Sequence, residues 1–374
     1  MKLTLIFSDT ELGVGNRCDD FIEEDLFCST IKSLFSDAKK YSTDLIFNGD
    51  TFDFVKSPTK DGIYHRHFTE KRSLEKIELI YKAHKKTFKL FKEFLNLRGD
   101  NRIIFIFGNH DYDLVFTEVQ KSICRLIAGK DKFLEKQILF PGFEFTDGLV
   151  LVEHGSQLDF NFKVNPKDFV HKGNAHYPEP FLKIPWGHNA LYEFYMEYKE
   201  RYPMLERLLP REYAIAALPK HLRREMVFGT MWYLFKSFFY TQFVEIHDPL
   251  RRFPFSEFFR YLTNFIRKNF HLHFLKNARK RVRRSKFQVM AVGHNHTGTM
   301  IDVYGKKILN TGAWRDEYLY NPEIDAFLPK MKSYGYILHK SNKIFTVELR
   351  EVSGTKRALF FEDINEKVLS DCRK

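Results

Sequence analysis

Only four cysteines occur in 374 residues, Cys18, Cys28, Cys124 and Cys372, and no two form a Cys-x-x-Cys pair. A disulfide framework is therefore not expected, and a reducing compartment is. The chain also has no stretch of about 20 uncharged apolar residues, so no membrane-spanning helix is expected. The first residues give one lysine, a short strand-like run and then acids, which is not the pattern of a secretory signal peptide. A cytoplasmic protein is the expectation. What is plentiful is apolar and basic: 44% of residues are hydrophobic, 40 are Phe, and the formal net charge is +12. This suffices for a sizeable core in one large domain or two smaller ones.

The charge is uneven. Residues 160–286 hold 24 Lys and Arg against 11 Asp and Glu, while the rest of the chain is close to neutral. Such asymmetry marks the middle of the chain as an insertion that faces something anionic.

Outside that segment, apolar runs alternate with helical patterns. Residues 3–7, 44–47, 102–107, 149–152 and 287–292 read as buried strands. Residues 20–40, 70–97 and 114–128 read as helices, the second with apolar residues at spacings of three and four and a lysine-rich opposite face. This pattern implies an α/β layered core, whose sites gather at the carboxyl ends of the strands. Each strand here ends in polar residues: Asp9-Thr10-Glu11 after the first, Gly49-Asp50-Thr51-Phe52-Asp53 after the second, Gly108-Asn109-His110-Asp111 after the third, Glu153-His154-Gly155 after the fourth, and Gly293-His294-Asn295-His296 after the fifth. Neutral imidazole is a common ligand of transition metals, and carboxylate and amide oxygens suit harder ions. Residues 299–304, 306–310, 334–339 and 343–350 read as antiparallel strands with turns at Gly305 and Ser341-Asn342, which suggests a second sheet packed on the first.

Taken in order, these motifs resemble the calcineurin-like metallophosphoesterase family over about residues 1–158 and 287–350. The resemblance implies a four-layer α/β/β/α sandwich of two mixed sheets, here with a large helical insertion over 159–286 and a tail over 351–374. It implies two divalent ions, Mn²⁺ first with Fe or Zn as alternatives. One ion would be held by Asp9, residue 11, Asp50 and His296. The other would be held by Asp50, Asn109, His154 and His294, with Asp50 shared. A hydroxide bridging both ions would attack the phosphorus of a phosphoester or pyrophosphate. His110 would stand beside the attacked phosphate as a hydrogen-bond donor, and Asp111 would orient His110 or buttress its loop. The family's first motif is Asp-x-His, whereas this chain has Asp9-Thr10-Glu11. Three readings follow: Glu11 ligates and favours a harder ion such as Mn²⁺, or it points away and leaves a weak first position, or the chain only binds. Other residues have two readings each. Asp53 holds its turn or touches substrate. His65 and His67 contact substrate from a loop or are surface histidines. Arg315 pairs with phosphate or lies on the surface. Glu153, by strand alternation, faces away from the cluster.

The insertion opens with a loop over 165–188 and continues with helical patterns over 190–201, 204–209, 220–243 and 255–273. Twelve apolar or aromatic residues crowd 226–243, with Lys236 among them, and a basic run, Arg279-Lys280-Arg281 and Arg283-Arg284 with Lys286, closes the segment. Such a surface suits an anionic bilayer or a groove for acyl chains beside a phosphate site. A helical cap packed on itself and single-stranded nucleic acid are the competing readings. Within the family, the second motif and this basic, aromatic insertion most resemble the UDP-2,3-diacylglucosamine pyrophosphohydrolases, though their fourth motif is closer to Gly-Asn-Arg-Asp. That likeness implies a lipid-linked diphosphate as substrate and a location peripheral to the inner face of the membrane. A nuclease or nucleotide phosphodiesterase, and a non-catalytic metal-binding scaffold, are the alternatives.

Overall fold

A computed structural model describes residues 1–159, 161–185, 191–243, 247–250 and 270–371. The expected helix over 255–273 lies outside the described residues up to 269, and so does Cys372. Cys18, Cys28 and Cys124 are free thiols.

The strands are β1 (Lys2–Phe7), β2 (Ser42–Asn48), β3 (Arg102–Ile106), β4 (Ile138–Gly142), β5 (Glu144–Asp147), β6 (Val150–Glu153), β7 (Val170–His171), β8 (Phe181–Leu182), β9 (Leu208–Leu209), β10 (Val289–Val292), β11 (Thr299–Val303), β12 (Lys306–Asn310), β13 (Tyr318–Asn321), β14 (Ala326–Pro329), β15 (Lys332–Lys340), β16 (Lys343–Val352) and β17 (Leu359–Phe360). The first sheet has the order β16-β15-β1-β2-β3-β4, and the second has β11-β12-β10-β6-β5. β1 to β4 run parallel, as do β6, β10 and β12, so each sheet gathers several strand carboxyl ends at one edge.

The strands are apolar on both faces because both faces are covered. Ile6, Ile46 and Ile104 align across β1, β2 and β3. With Val150, Val152, Val289 and Ala291 they form the layer between the sheets. Each fully buried aliphatic of this kind contributes about 1.5–3 kcal/mol. The alternate residues Leu5, Phe7, Phe47 and Phe105 point outward into a helical layer that includes Ile77, Ile80, Phe88, Phe91 and Ile123. Phe47 stacks on Phe105 with ring centroids 5.3 Å apart, and Phe91 closes over Phe47 at 4.9 Å. On the far side, Phe274, Ala278 and Val282, four residues apart along the helix Phe270–Arg284, pack on Leu151, Met290, Val292 and Ile308. The molecule is thus an α/β sandwich of two mixed sheets between helical layers. The outer helix of the second sheet comes from the end of the segment assigned to the insertion.

Three local expectations are corrected, the first being the helical pattern over 204–209, which is a 3₁₀ turn, Pro203–Glu206, followed by β9. The single helix over 70–97 is two, Glu70–Ala83 and Lys85–Leu95, broken at His84 (φ −116°, ψ 38°). The ring of His84 is held 2.8 Å from Asp19 Oδ2, and that bond fixes the break while the apolar spacing continues across it. The antiparallel strands do not form one second sheet. β11 and β12 join β10, whereas β15 and β16 extend the first sheet beside β1. Alternation tells which residues face inward, not which edge a strand joins.

The middle segment is tied into the rest of the chain. β9 pairs with β13 in a four-stranded sheet with β14 and β17, and Met204, Leu205 and Leu208 share a core with Tyr318, Phe327 and Leu369. The helix Lys220–Phe243 sets Tyr233 against Phe194 and presents the opposite stripe to solvent: Phe228, Trp232 and Phe235 are 69%, 65% and 56% exposed.

Candidate metal centre

Asp9, Asp50 and Asn109 follow β1, β2 and β3, and His154 and His294 follow β6 and β10, so both sheets deliver side chains to one place. The loops are stitched by backbone bonds: Asp9 N–H to Gly49 O, Glu11 N–H to Asp50 O, Gly293 N–H to His154 O, and Trp314 N–H to Asp9 O. Two glycines are sterically required. A Cβ on Gly108 would run into the Asp50 carboxylate, and one on Gly293 into Ser8 and Asp9.

Seven non-glycine residues among those described have positive φ, and five are expected ligands: Asp9, Glu11, Asp50, His294 and His296. Each such conformation costs about 1–3 kcal/mol, and strain of this kind persists where function demands the geometry.

The ligand atoms of Asp50, His154 and His294 lie within 4.8 Å of one another. His154 Nε2 is 3.2 Å from Asp50 Oδ2 and 3.3 Å from Asn109 Oδ1. His294 Nδ1 is 2.9 Å from the same amide oxygen. Each imidazole is oriented by its other nitrogen. His154 Nδ1 donates to Asn48 O (2.8 Å), His294 Nε2 to Asp159 Oδ2 (3.2 Å), and His296 Nδ1 to Glu317 Oε1 (2.5 Å). Metal-binding histidines carry such partners as a rule. Asp9 Oδ2 accepts from the hydroxyl of Ser8 and from His294 N–H, whereas buried Oδ1 has no hydrogen-bond partner. That oxygen faces His296 Nε2 at 3.3 Å and His154 Nε2 at 3.9 Å. A buried carboxylate oxygen met only by imidazole, beside a convergent amide oxygen, suits a divalent ion that would displace the imidazole protons.

The electrostatics agree. Burial opposes charge on His154, but Asp50 and Asp9 outweigh it and push the imidazole up to about 9. Burial likewise opposes charge on His296, and Glu317 and Asp9 raise it to about 10. Asp50 would be raised by burial, yet His154 and His110 hold it well below the usual carboxylate range. These protons neutralise the carboxylates, a task a metal ion performs when it displaces them.

Glu11 is arranged differently. Its Oε2 is 2.5 Å from Lys56 Nζ, and Arg315 Nη1 lies 3.0 and 3.1 Å from its two oxygens. Its ligand atom groups with those of Asp53 and His110, and its Oε1 also lies 3.9 Å from His296 Nε2. Arg315, expected at phosphate or on the surface, is buried and paired with Asp20 (2.8 Å) as well as Glu11. Lys199, Glu206 and Arg207 of the middle segment enter the same buried network.

The roles given to Asp111 divide. Its oxygens accept from Gly108 N–H (2.6 Å) and Thr51 N–H (2.7 Å), so it buttresses the loops. Orientation of His110 falls to Asp53, which accepts from Nδ1 at 2.9 Å. Glu153 faces away, onto Arg281 (2.7 Å). His67 pairs with Asp248 at 3.1 Å, and His65 stands 3.6 Å from Asp61. Among the described residues, neither is bonded to an expected ligand.

Asp159, Glu317 and Lys56 were not singled out in the sequence. Lys56 alone left a local signal, a lysine three residues after Asp53 at the end of a ligand motif. No protein-family model matches this chain, and no curated protein matches it at a significant level.

Proposed function

We propose that this chain is a metal-dependent phosphohydrolase that cleaves a phosphoester or pyrophosphate bond. The observation that carries the reading is the convergence of Asp50, Asn109, His154 and His294 from the ends of four strands in two sheets, beside the buried Asp9 Oδ1 that faces His296 and His154. A bound divalent ion, Mn²⁺ by the mixed oxygen and imidazole donors, would supply charge to polarise phosphoryl oxygens and acidify water.

The chain's own residues do the rest. His110 is held by Asp53 through Nδ1 and by its own N–H to Asp50 Oδ1 (2.7 Å). Burial opposes its charge, but Asp50 and Glu11 raise it to about 9 in the metal-free protein, and with Nδ1 on Asp53 its other ring nitrogen would donate to the phosphate. Its side chain, at 14% exposure, and that of His296, at 19%, mark the side from which substrate enters.

The exposed stripe of Phe228, Trp232, Phe235 and Phe243, with Arg223, Arg224 and Lys236 on the same helix, favours a lipid-linked substrate met at an anionic membrane surface. No helix among the described residues is long and apolar enough to cross a membrane, so contact would be peripheral.

Hydrolysis of bis(p-nitrophenyl) phosphate with added Mn²⁺ tests the activity. Turnover abolished by chelation and by Asp50→Ala is expected. A folded protein inert with every divalent ion would overturn the reading. Sedimentation with acidic liposomes, lost on replacing Phe228, Trp232 and Phe235 by Ser, tests the lipid part. Cleavage of DNA with no liposome binding would replace it with a nuclease.

A further inference from the structure

We infer that the centre carries one divalent ion rather than two, because Lys56, backed by Arg315, takes up the charge of Glu11, the residue that would complete the other position. The inference rests on the metal-dependent reading above.

The first observation is that Glu11, which replaces the family's histidine, is already satisfied. Oε2 takes the Lys56 ammonium at 2.5 Å, and both oxygens take Arg315. The second is where Lys56 sits. Glu11, Asp53 and His110 form the other group of ligand atoms close enough to hold a cation, and Lys56 Nζ is bonded to two of the three, reaching Asp53 Oδ2 at 3.1 Å. A fixed ammonium thus answers the charge that an ion would otherwise answer. The third is balance. Lys56, Lys199, Arg207 and Arg315, four cations, interlock with Glu11, Asp20, Asp53 and Glu206, four carboxylates, in a buried network that Arg207 and Arg315 extend to Asp316 and Glu317, each at 3.6 Å. Another dication beside Lys56 and Arg315 would meet two buried cations and no uncompensated carboxylate from that set. The fourth is the contrast across the cluster. Asp50, Asn109, His154 and His294 have no Lys or Arg among the bonds of their facing atoms in the described structure.

Mn²⁺ alone is the probe. The wild-type protein is loaded, freed of excess ion, counted by elemental mass spectrometry and examined by electron paramagnetic resonance. One Mn²⁺ per chain with an isolated six-line spectrum is expected. Two per chain with an exchange-coupled spectrum would overturn this inference and leave the hydrolase reading standing. No bound ion would overturn both. Lys56→Met should admit a second Mn²⁺, and a folded variant that still binds one would remove Lys56 from the role. Glu11→Gln, which keeps the shape, should leave Mn²⁺ affinity unchanged. A loss of the roughly 10–100-fold that follows disturbance of a metal shell would make Glu11 part of that shell and contradict the assignment.

Discussion

The two halves of the candidate centre have similar residue types and opposite electrostatic solutions. Around His154 and His294, carboxylate and amide oxygens face imidazoles, and Asp9 Oδ1 beside them has no hydrogen-bond partner. Around Glu11, each carboxylate meets lysine or arginine within the protein. On the proposed reading, ligand-type residues do not make a metal position by themselves. What separates the halves is whether the fold has already supplied the counter-charge.

The largest expected effect is at Asp50, whose Oδ2 faces His154 in the first half. Asp50→Ala should reduce hydrolysis by at least the roughly 10²–10³-fold that follows loss of one group stabilising the transition state. Steady-state rates near those of wild type would place the chemistry elsewhere. The next contrast compares the two orienting carboxylates. Asp159→Asn, behind His294, should weaken Mn²⁺ binding by roughly 10–100-fold, whereas Glu317→Gln, behind His296, should weaken it far less. Equal losses in a titration of both variants would show that His296 holds an ion too, and the comparison would fail.

Protons sharpen the same contrast. His154 stands near 9 without metal, because Asp50 and Asp9 outweigh its burial, so it is protonated at neutral pH. A ligating imidazole must be neutral, so ion uptake releases that proton and affinity rises with pH, roughly tenfold per unit below about 9 for one proton. Calorimetry at pH 7 in two buffers of different ionisation heat should show the release; identical heats would contradict it. The smallest effect is a control away from the centre. Burial opposes charge on His84, but Asp19 and Glu24 raise it to about 9. Its raised folded value means the stabilisation is complete below about 6.5 and fades as pH climbs toward 9, with a ceiling of about 3 kcal/mol. His84→Gln should flatten that part of the stability–pH curve and leave metal binding intact.

The polar clusters at the strand ends were legible because parallel strands finish at a common edge, and the choice of Asp9, Asp50, Asn109, His154 and His294 within them came from the family resemblance. The layered α/β core followed from runs apolar on both faces. The destination of β15 was not legible, since Leu338 and Ile337 would alternate equally well in either sheet. Neither was the break at His84, which depends on Asp19, 65 positions earlier. The pairing of Glu11 with Lys56 and Arg315 joins residues 45 and 304 positions apart. Such partners are chosen by tertiary packing, and a sequence shows only that each charge exists.

Diffraction from crystals soaked in Mn²⁺, recorded at the manganese edge, addresses the central claim most directly. The account predicts one anomalous peak bounded by Asp50 Oδ2, Asn109 Oδ1, His154 Nε2 and His294 Nδ1, with Lys56 still on Glu11. No peak there in crystals that retain the fold, or a peak coordinated by Glu11 after Lys56 has swung away, would contradict it.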